Sequence, residues 1–286
     1  MAASLKYEVH QYGTAHELQR VGVWDLDISD ASRYWIIYIH GGAWRDPRIG
    51  LETFESSIRR IQQSSDSDKA AIAAFASIDY RLSPHPDFPQ DPATTPPAQY
   101  RGAVHPDHVD DVRAALVFLQ RRYGFGGRYV LVGHSAGGCL AFQLLMSSSV
   151  TELVFPQAIF GFEGIYDLVG LNRRVGGAYA GFITAAFGEP GSAGENWDAA
   201  SPVKYPSSYR DAWKGGCIAV LGSSPDDTLV DEAEADGMAE RLQNDGMEVM
   251  QVKDLKGDHD EIWKDGSGVA STVSRILGFL GAIVSP

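Results

Sequence analysis

Tyr129-Val130-Leu131-Val132-Gly133-His134-Ser135-Ala136-Gly137-Gly138-Cys139-Leu140 decides how the chain is read. An apolar run of strand length enters Gly-x-Ser-x-Gly, and a helix-compatible segment continues to Met146. A strand that turns at once into a helix holds the serine hydroxyl on a sharp, exposed turn, where flanking glycines remove the side chains that would collide. The pentapeptide alone also fits a serine that merely caps a βα unit. The two readings are separated by whether the rest of the chain supplies partners.

A serine is a weak nucleophile at neutral pH and needs a base that is itself oriented by a carboxylate. After a nucleophile elbow the acid and then the histidine follow in chain order. A strand at 217–221 leads into Ser223-Ser224-Pro225-Asp226-Asp227-Thr228-Leu229-Val230, which offers two adjacent acids. The last strand, 247–252, leads into Lys256-Gly257-Asp258-His259-Asp260, which holds the only histidine beyond the serine. We expect Ser135, Asp227 and His259 to form a triad; Asp227 is preferred to Asp226 because of the helix that follows and the Asp-x-Leu-Val pattern. His40-Gly41-Gly42-Ala43-Trp44 closes a buried strand at 34–39 and resembles the loop whose amides hold an oxyanion. Its donors are expected at Gly42 and Ala43, with a third at Ala136.

Outward from the elbow, short apolar runs alternate with helical periodicity. Strands at 7–12 and 21–28 are expected as an antiparallel edge, with buried strands at 34–39, 71–80, 129–132 and 157–162. Helices are expected at 51–63, at 108–123 with Gly124 as stop, at 231–243, and on the closing stripe Val269, Val273, Ile276, Leu280 and Ile283. This alternation predicts a doubly wound, mostly parallel sheet with helices on both faces. Residues 83–107 hold seven of the chain's 14 prolines, so they read as a long excursion packed near the site. The glycine- and aromatic-rich stretch 169–209 reads as a lid or cap insertion in a single domain spanning 1–286.

The net charge of −13 disfavours nucleic acid and anionic membrane as partners. No segment at the start has the apolar core of a signal peptide and none has the length of a membrane span, so a cytoplasmic enzyme acting on a small molecule is expected. A homodimer stays open. Cys139 and Cys217 make neither a disulfide framework nor a metal quartet, and Cys139 is expected as a small buried thiol. His105 and His108 have the H-x-x-H spacing of metal ligands but no third ligand in a matching context, so capping or surface roles are expected and no metal is assigned.

With these residues in view, the chain resembles the kynurenine formamidase (arylformamidase) family of α/β-hydrolases, most of all its fungal members. The resemblance rests on His40 to Trp44, on Asp79-Tyr80-Arg81-Leu82-Ser83-Pro84, on the excursion ending in His105-Pro106, and on Gly133 to Gly137. It implies an α/β-hydrolase fold and cofactor-free hydrolysis of N-formyl-L-kynurenine to L-kynurenine and formate. On that reading Trp44 lines the pocket against the substrate's aryl ring, or packs in the core beside the elbow. Arg45 or Arg101 would take the substrate carboxylate, while Arg81 lies in a structural segment. A carboxylesterase or aryl-amidase with another substrate, and a catalytically silent binding protein, are the alternatives that fold and triad leave open.

Overall fold

The computed structural model describes residues 5–146, 152–192 and 194–284. Its strands are β1 (Lys6–Gln11), β2 (Arg20–Asp25), β3 (Tyr34–Ile39), β4 (Ile72–Ile78), β5 (Tyr129–His134), β6 (Ala158–Phe162), β7 (Ile218–Gly222) and β8 (Val249–Val252). They form one sheet in the order β1-β2-β4-β3-β5-β6-β7-β8. β1 and β2 pair antiparallel, as does β2 with β4, and every later pairing is parallel.

The near-continuous apolar runs of β3 and β5 follow from burial on both faces. Alternate side chains feed two cores. Trp35, Ile37, Ile39 and Leu131 pack on one side with the elbow helix Ala136–Met146 and the helices Asp107–Tyr123 and Glu232–Asn244. Tyr34, Ile36, Tyr38, Val130 and Val132 pack on the other with the helices Glu55–Gln62 and Ser267–Val284. β3 and β5 lie side by side, and the chain leaves β3 toward β4 but β5 toward β6, so the two connections depart in opposite directions and a crevice opens at the carboxyl ends of β3 and β5. Both sequence motifs end in that crevice.

Several boundaries differ from expectation for local reasons. The helix expected at 51–63 begins as a tight 3-10 turn, Leu51–Phe54, because the Leu51 amide is drawn to Asp79 Oδ1 at 2.7 Å. β2 stops at Asp25, whose Oδ1 accepts from the Ile28 amide at 3.2 Å. The short helices Asp66–Ala70 and Glu261–Asp265 carry too few residues for a periodic signal. Gly124 ends its helix in the left-handed conformation, as expected of a stop. The stretch 169–209 contains the helices Ala180–Phe187 and Glu195–Ala200 and most of Leu168–Arg174. Cys139 is buried, Cys217 is partly exposed, and both are free thiols.

Among the described residues, no helix is long and apolar enough to cross a membrane.

Candidate active site

Ser135 sits at φ +52°, between β5 and the elbow helix. Its amide donates to Phe162 O at 3.1 Å, and its carbonyl accepts from Gly138 at 3.0 Å and from Ile165 at 3.3 Å, so three chain segments hold the strained turn. Gly133 and Gly137 are there because the backbones touch: a Cβ at 137 would meet Ile39 O at 2.1 Å, and one at 133 would meet Gly137 O at 2.4 Å.

His259 reaches the site from the loop after β8, and its Nδ1 lies 2.7 Å from Asp227 Oδ2. The carboxylate can only accept, so the ring proton is on Nδ1 and the Nε2 lone pair is left for a second partner. Asp227 Oδ1 accepts from the amides of Leu229 at 2.7 Å and Val230 at 3.0 Å. Burial alone would raise the Asp227 carboxyl; the hydrogen bond from His259, with the Val230 amide adding to it, outweighs burial and holds the group well below the usual carboxylate range. Asp226 faces elsewhere, accepting from the Gly257 amide at 3.2 Å.

Asp258 ties the Asp227 loop to the His259 loop, since its Oδ1 accepts from Thr228 N and Oγ1 and from the His259 amide. His134 supports His259 from behind: Nε2 donates to His259 O at 3.1 Å, and the two rings lie 4.7 Å apart. Burial, then the neighbouring His259, push His134 far down, so it is a neutral donor.

The loop after β3 runs left-handed through Gly42, Ala43 and Trp44, at φ +87°, +49° and +59°. The amides of Gly42 and Ala43 make no hydrogen bond to any described residue. Ala136, as first residue of its helix, has no carbonyl a turn behind it. Tyr80 clamps the loop by donating to His40 O and Gly41 O, both at 3.1 Å, and its ring stacks on His40. The segment Asp79 to Arg81 is therefore scaffolding: Asp79 holds Leu51 and Arg20, and Arg81 pairs with both oxygens of Asp111.

Ser135, His259, Gly42 and Ala43 share the wall of a cavity of about 260 Å³ with Arg45, His85, Ile165, Tyr179 and Phe182. Tyr179 and Phe182 come from the 169–209 stretch and His85 from the proline-rich excursion, so both irregular segments close over the same space. Trp44 lies elsewhere: it is fully buried and packs on Phe187, 4.9 Å centroid to centroid, and on Phe182 at 6.1 Å. The indole thus backs the cavity wall and does not line it.

The two candidate cations also part. Arg45 lines the cavity and lies over the Phe182 ring, with no ion pair among the described residues. Arg101 lines a neighbouring cavity and donates to Phe88 O at 2.7 Å. His108 Nε2 bonds Ser83 Oγ at 3.0 Å, and burial pushes its pKa down to about 3; His105 instead packs on Phe187.

Sequence reasoning missed Glu163, at the carboxyl end of β6. One of its oxygens, one of Asp227's and a ring nitrogen of His259 all lie within 4.8 Å of one another. An acid followed by glycine at the end of a buried parallel strand was the available signal.

No family model matches the chain. The chain is 40% identical over 257 residues to the kynurenine formamidase avaC of Aspergillus versicolor, covering 83% of this chain and 86% of that protein. It is 38% identical over 256 residues to the kynurenine formamidase-like hydrolase fscH of Fusarium equiseti, covering 86% and 84%. Among solved structures, an inhibited esterase B from Lactobacillus rhamnosis superposes with a TM-score of 0.69 at 15% identity, over 98% of this chain and 88% of that one. At that identity the likeness shows the fold, which is that of the α/β-hydrolases.

Proposed function

The chain belongs to the kynurenine formamidase family of α/β-hydrolases, and we propose that it hydrolyses the formamide of N-formyl-L-kynurenine to L-kynurenine and formate. The observation that carries this reading is the joint wall formed by Ser135, His259 and the unengaged amides of Gly42 and Ala43. Ser135 Oγ attacks the formyl carbon while His259 Nε2 takes its proton, and Asp227 stabilises the imidazolium that results. The oxyanion is held by the amides of Gly42, Ala43 and Ala136. His259 then gives the proton to the aniline nitrogen, which leaves as L-kynurenine. Water, activated by the same histidine, attacks the formyl ester and releases formate.

The 169–209 segment acts as a cap whose Tyr179 and Phe182 meet the aryl ring, and Trp44 supports Phe182 from behind. A cytoplasmic location rests on the sequence alone. The test is turnover of N-formyl-L-kynurenine beside its N-acetyl analogue and p-nitrophenyl acetate. Strong preference for the formyl amide is expected; better cleavage of the acetyl ester would mean a carboxylesterase.

Of the two arginines, we assign the substrate carboxylate to Arg45, a reading supported by its place in the cavity wall, its guanidinium lying over the Phe182 ring, and the lack of an ion pair to it among the described residues. Arg45→Ala is expected to lower kcat/KM for N-formyl-L-kynurenine by about 10- to 100-fold, the range of a charge-assisted hydrogen bond, mostly through KM. Formanilide, which has no carboxylate, should lose far less. An equal loss on both substrates would remove Arg45 from recognition.

A further inference from the structure

Glu163 stands beside the triad with nothing in the mechanism to do. Its residue is 2% exposed, its φ is +49°, and its amide donates to Gly222 O at 3.0 Å, which ties it to the strand that carries the acid loop. A left-handed backbone is unfavourable for a residue with a Cβ, so this turn is imposed by the surrounding contacts. Both side-chain oxygens are buried without a hydrogen bond of regular geometry among the described residues. The Asp227 carboxylate and the His259 ring are within 4.8 Å of it.

Two buried carboxyls this close cannot both be charged without a large penalty, so one keeps its proton. The donors decide which. Asp227 receives three N–H groups, from His259, Leu229 and Val230, whereas Glu163 has no comparable set. The negative charge therefore settles on Asp227, and an O–H on Glu163 finds that carboxylate as its acceptor.

Resting on the assignment of Asp227 as the triad acid, we propose that Glu163 is a positioning residue that stays protonated at neutral pH and donates its O–H to Asp227. It braces the carboxylate that orients His259 without adding a second negative charge. Burial, and then Asp227, push Glu163 up to about 10. The other groups facing it are His259 on the loop after β8, the Ser224 amide on the loop after β7, Glu232 at the start of its helix, and Tyr166 on its own segment. Of these, the Ser224 amide favours the anion and Glu232 opposes it.

The experiment compares kcat, KM and the pH profile of kcat/KM in Glu163→Ala and Glu163→Gln, with Asp227→Asn as reference. Glu163→Ala is expected to lower kcat by about 10- to 100-fold, the range of a hydrogen bond to a charged acceptor, at unchanged KM. Glu163→Gln keeps a donor of the same reach and should recover most of that loss. Its acid limb should coincide with that of the wild type, because no charge has been removed from beside His259. A limb displaced to lower pH would mean that Glu163 is ionised in the native enzyme, and an unaltered kcat in Glu163→Ala would mean that it positions nothing. Either result overturns the proposal. Full activity in Asp227→Asn would instead fault the triad assignment beneath it.

Thermal unfolding supplies a readout that does not need Glu163→Ala to fold. A carboxyl ordinarily near 4.5 and raised to about 10 on folding binds more protons in the native state than in the unfolded chain across that window. Its contribution to stability is thus present below about 4.5 and is lost as pH rises toward 10. The Tm of the wild type should fall more steeply with pH than that of Glu163→Gln; parallel curves would overturn the proposal.

Discussion

Replacing Ser135 by Ala is expected to lower turnover of N-formyl-L-kynurenine by about 10⁴-fold or more, with the fold unchanged. The substitution deletes one oxygen from a turn that backbone contacts hold independently, since the bonds at Ser135 run through its amide and carbonyl to Phe162, Gly138 and Ile165. The amides of Gly42 and Ala43 stay in place, so residual binding and oxyanion stabilisation persist while the covalent route is closed. A fluorophosphonate probe should add its mass to the wild type at Ser135 and leave the alanine variant unlabelled. Comparable turnover in the two proteins would return the serine to the role of a helix cap. An unlabelled, inactive wild type would favour the silent binding protein.

Ser135, His259 and the His40–Trp44 loop were legible as candidates because each depends on a short stretch of chain. Ser135 is announced by glycines that its own turn requires, and His259 is the last histidine in a chain whose order is constrained. Asp227 was separable from Asp226 by the pattern after it, and the loop presents Asp227 Oδ2 to His259 while Asp226 turns to Gly257. Trp44 could be read only as part of a motif. Its side-chain direction is set by three successive left-handed residues, which carry the indole away from the cavity toward Phe182 and Phe187. The Glu-Gly step after β6 marks Glu163 as a residue at a strand's end but not its neighbour: that comes from β6 lying beside β7, which brings two acids 64 positions apart in the sequence into one buried space. Pairing across a sheet leaves no local trace. The walls drawn from the excursion and the 169–209 stretch share that difficulty, since His85, Tyr179 and Phe182 meet Ser135 only after long stretches of chain fold back.

Asp227→Asn is expected to lower kcat by about 10⁴-fold, whereas Asp226→Asn should stay within a few-fold of the wild type. The donors and acceptors around each carboxylate decide the difference. Oδ1 of Asp227 accepts from two backbone amides, Leu229 at 2.7 Å and Val230 at 3.0 Å, and those donors will hold the carbonyl oxygen of an amide side chain in the same place. The amide NH2 is then forced toward His259 Nδ1, where the native Oδ2 stands at 2.7 Å. A donor there makes Nδ1 an acceptor and moves the ring proton to Nε2, which aims a proton, and not a lone pair, at the serine. The base is lost although every heavy atom keeps its position, and the imidazolium formed in the transition state loses its countercharge as well. At position 226 the same change touches a 3.2 Å bond to the Gly257 amide on an exposed loop, and an amide oxygen replaces that acceptor. Steady-state kinetics of both variants, with ¹⁵N NMR of the His259 ring in the first, check the two halves of the claim. A large loss at position 226 with activity kept at 227 would transfer the role of acid to Asp226.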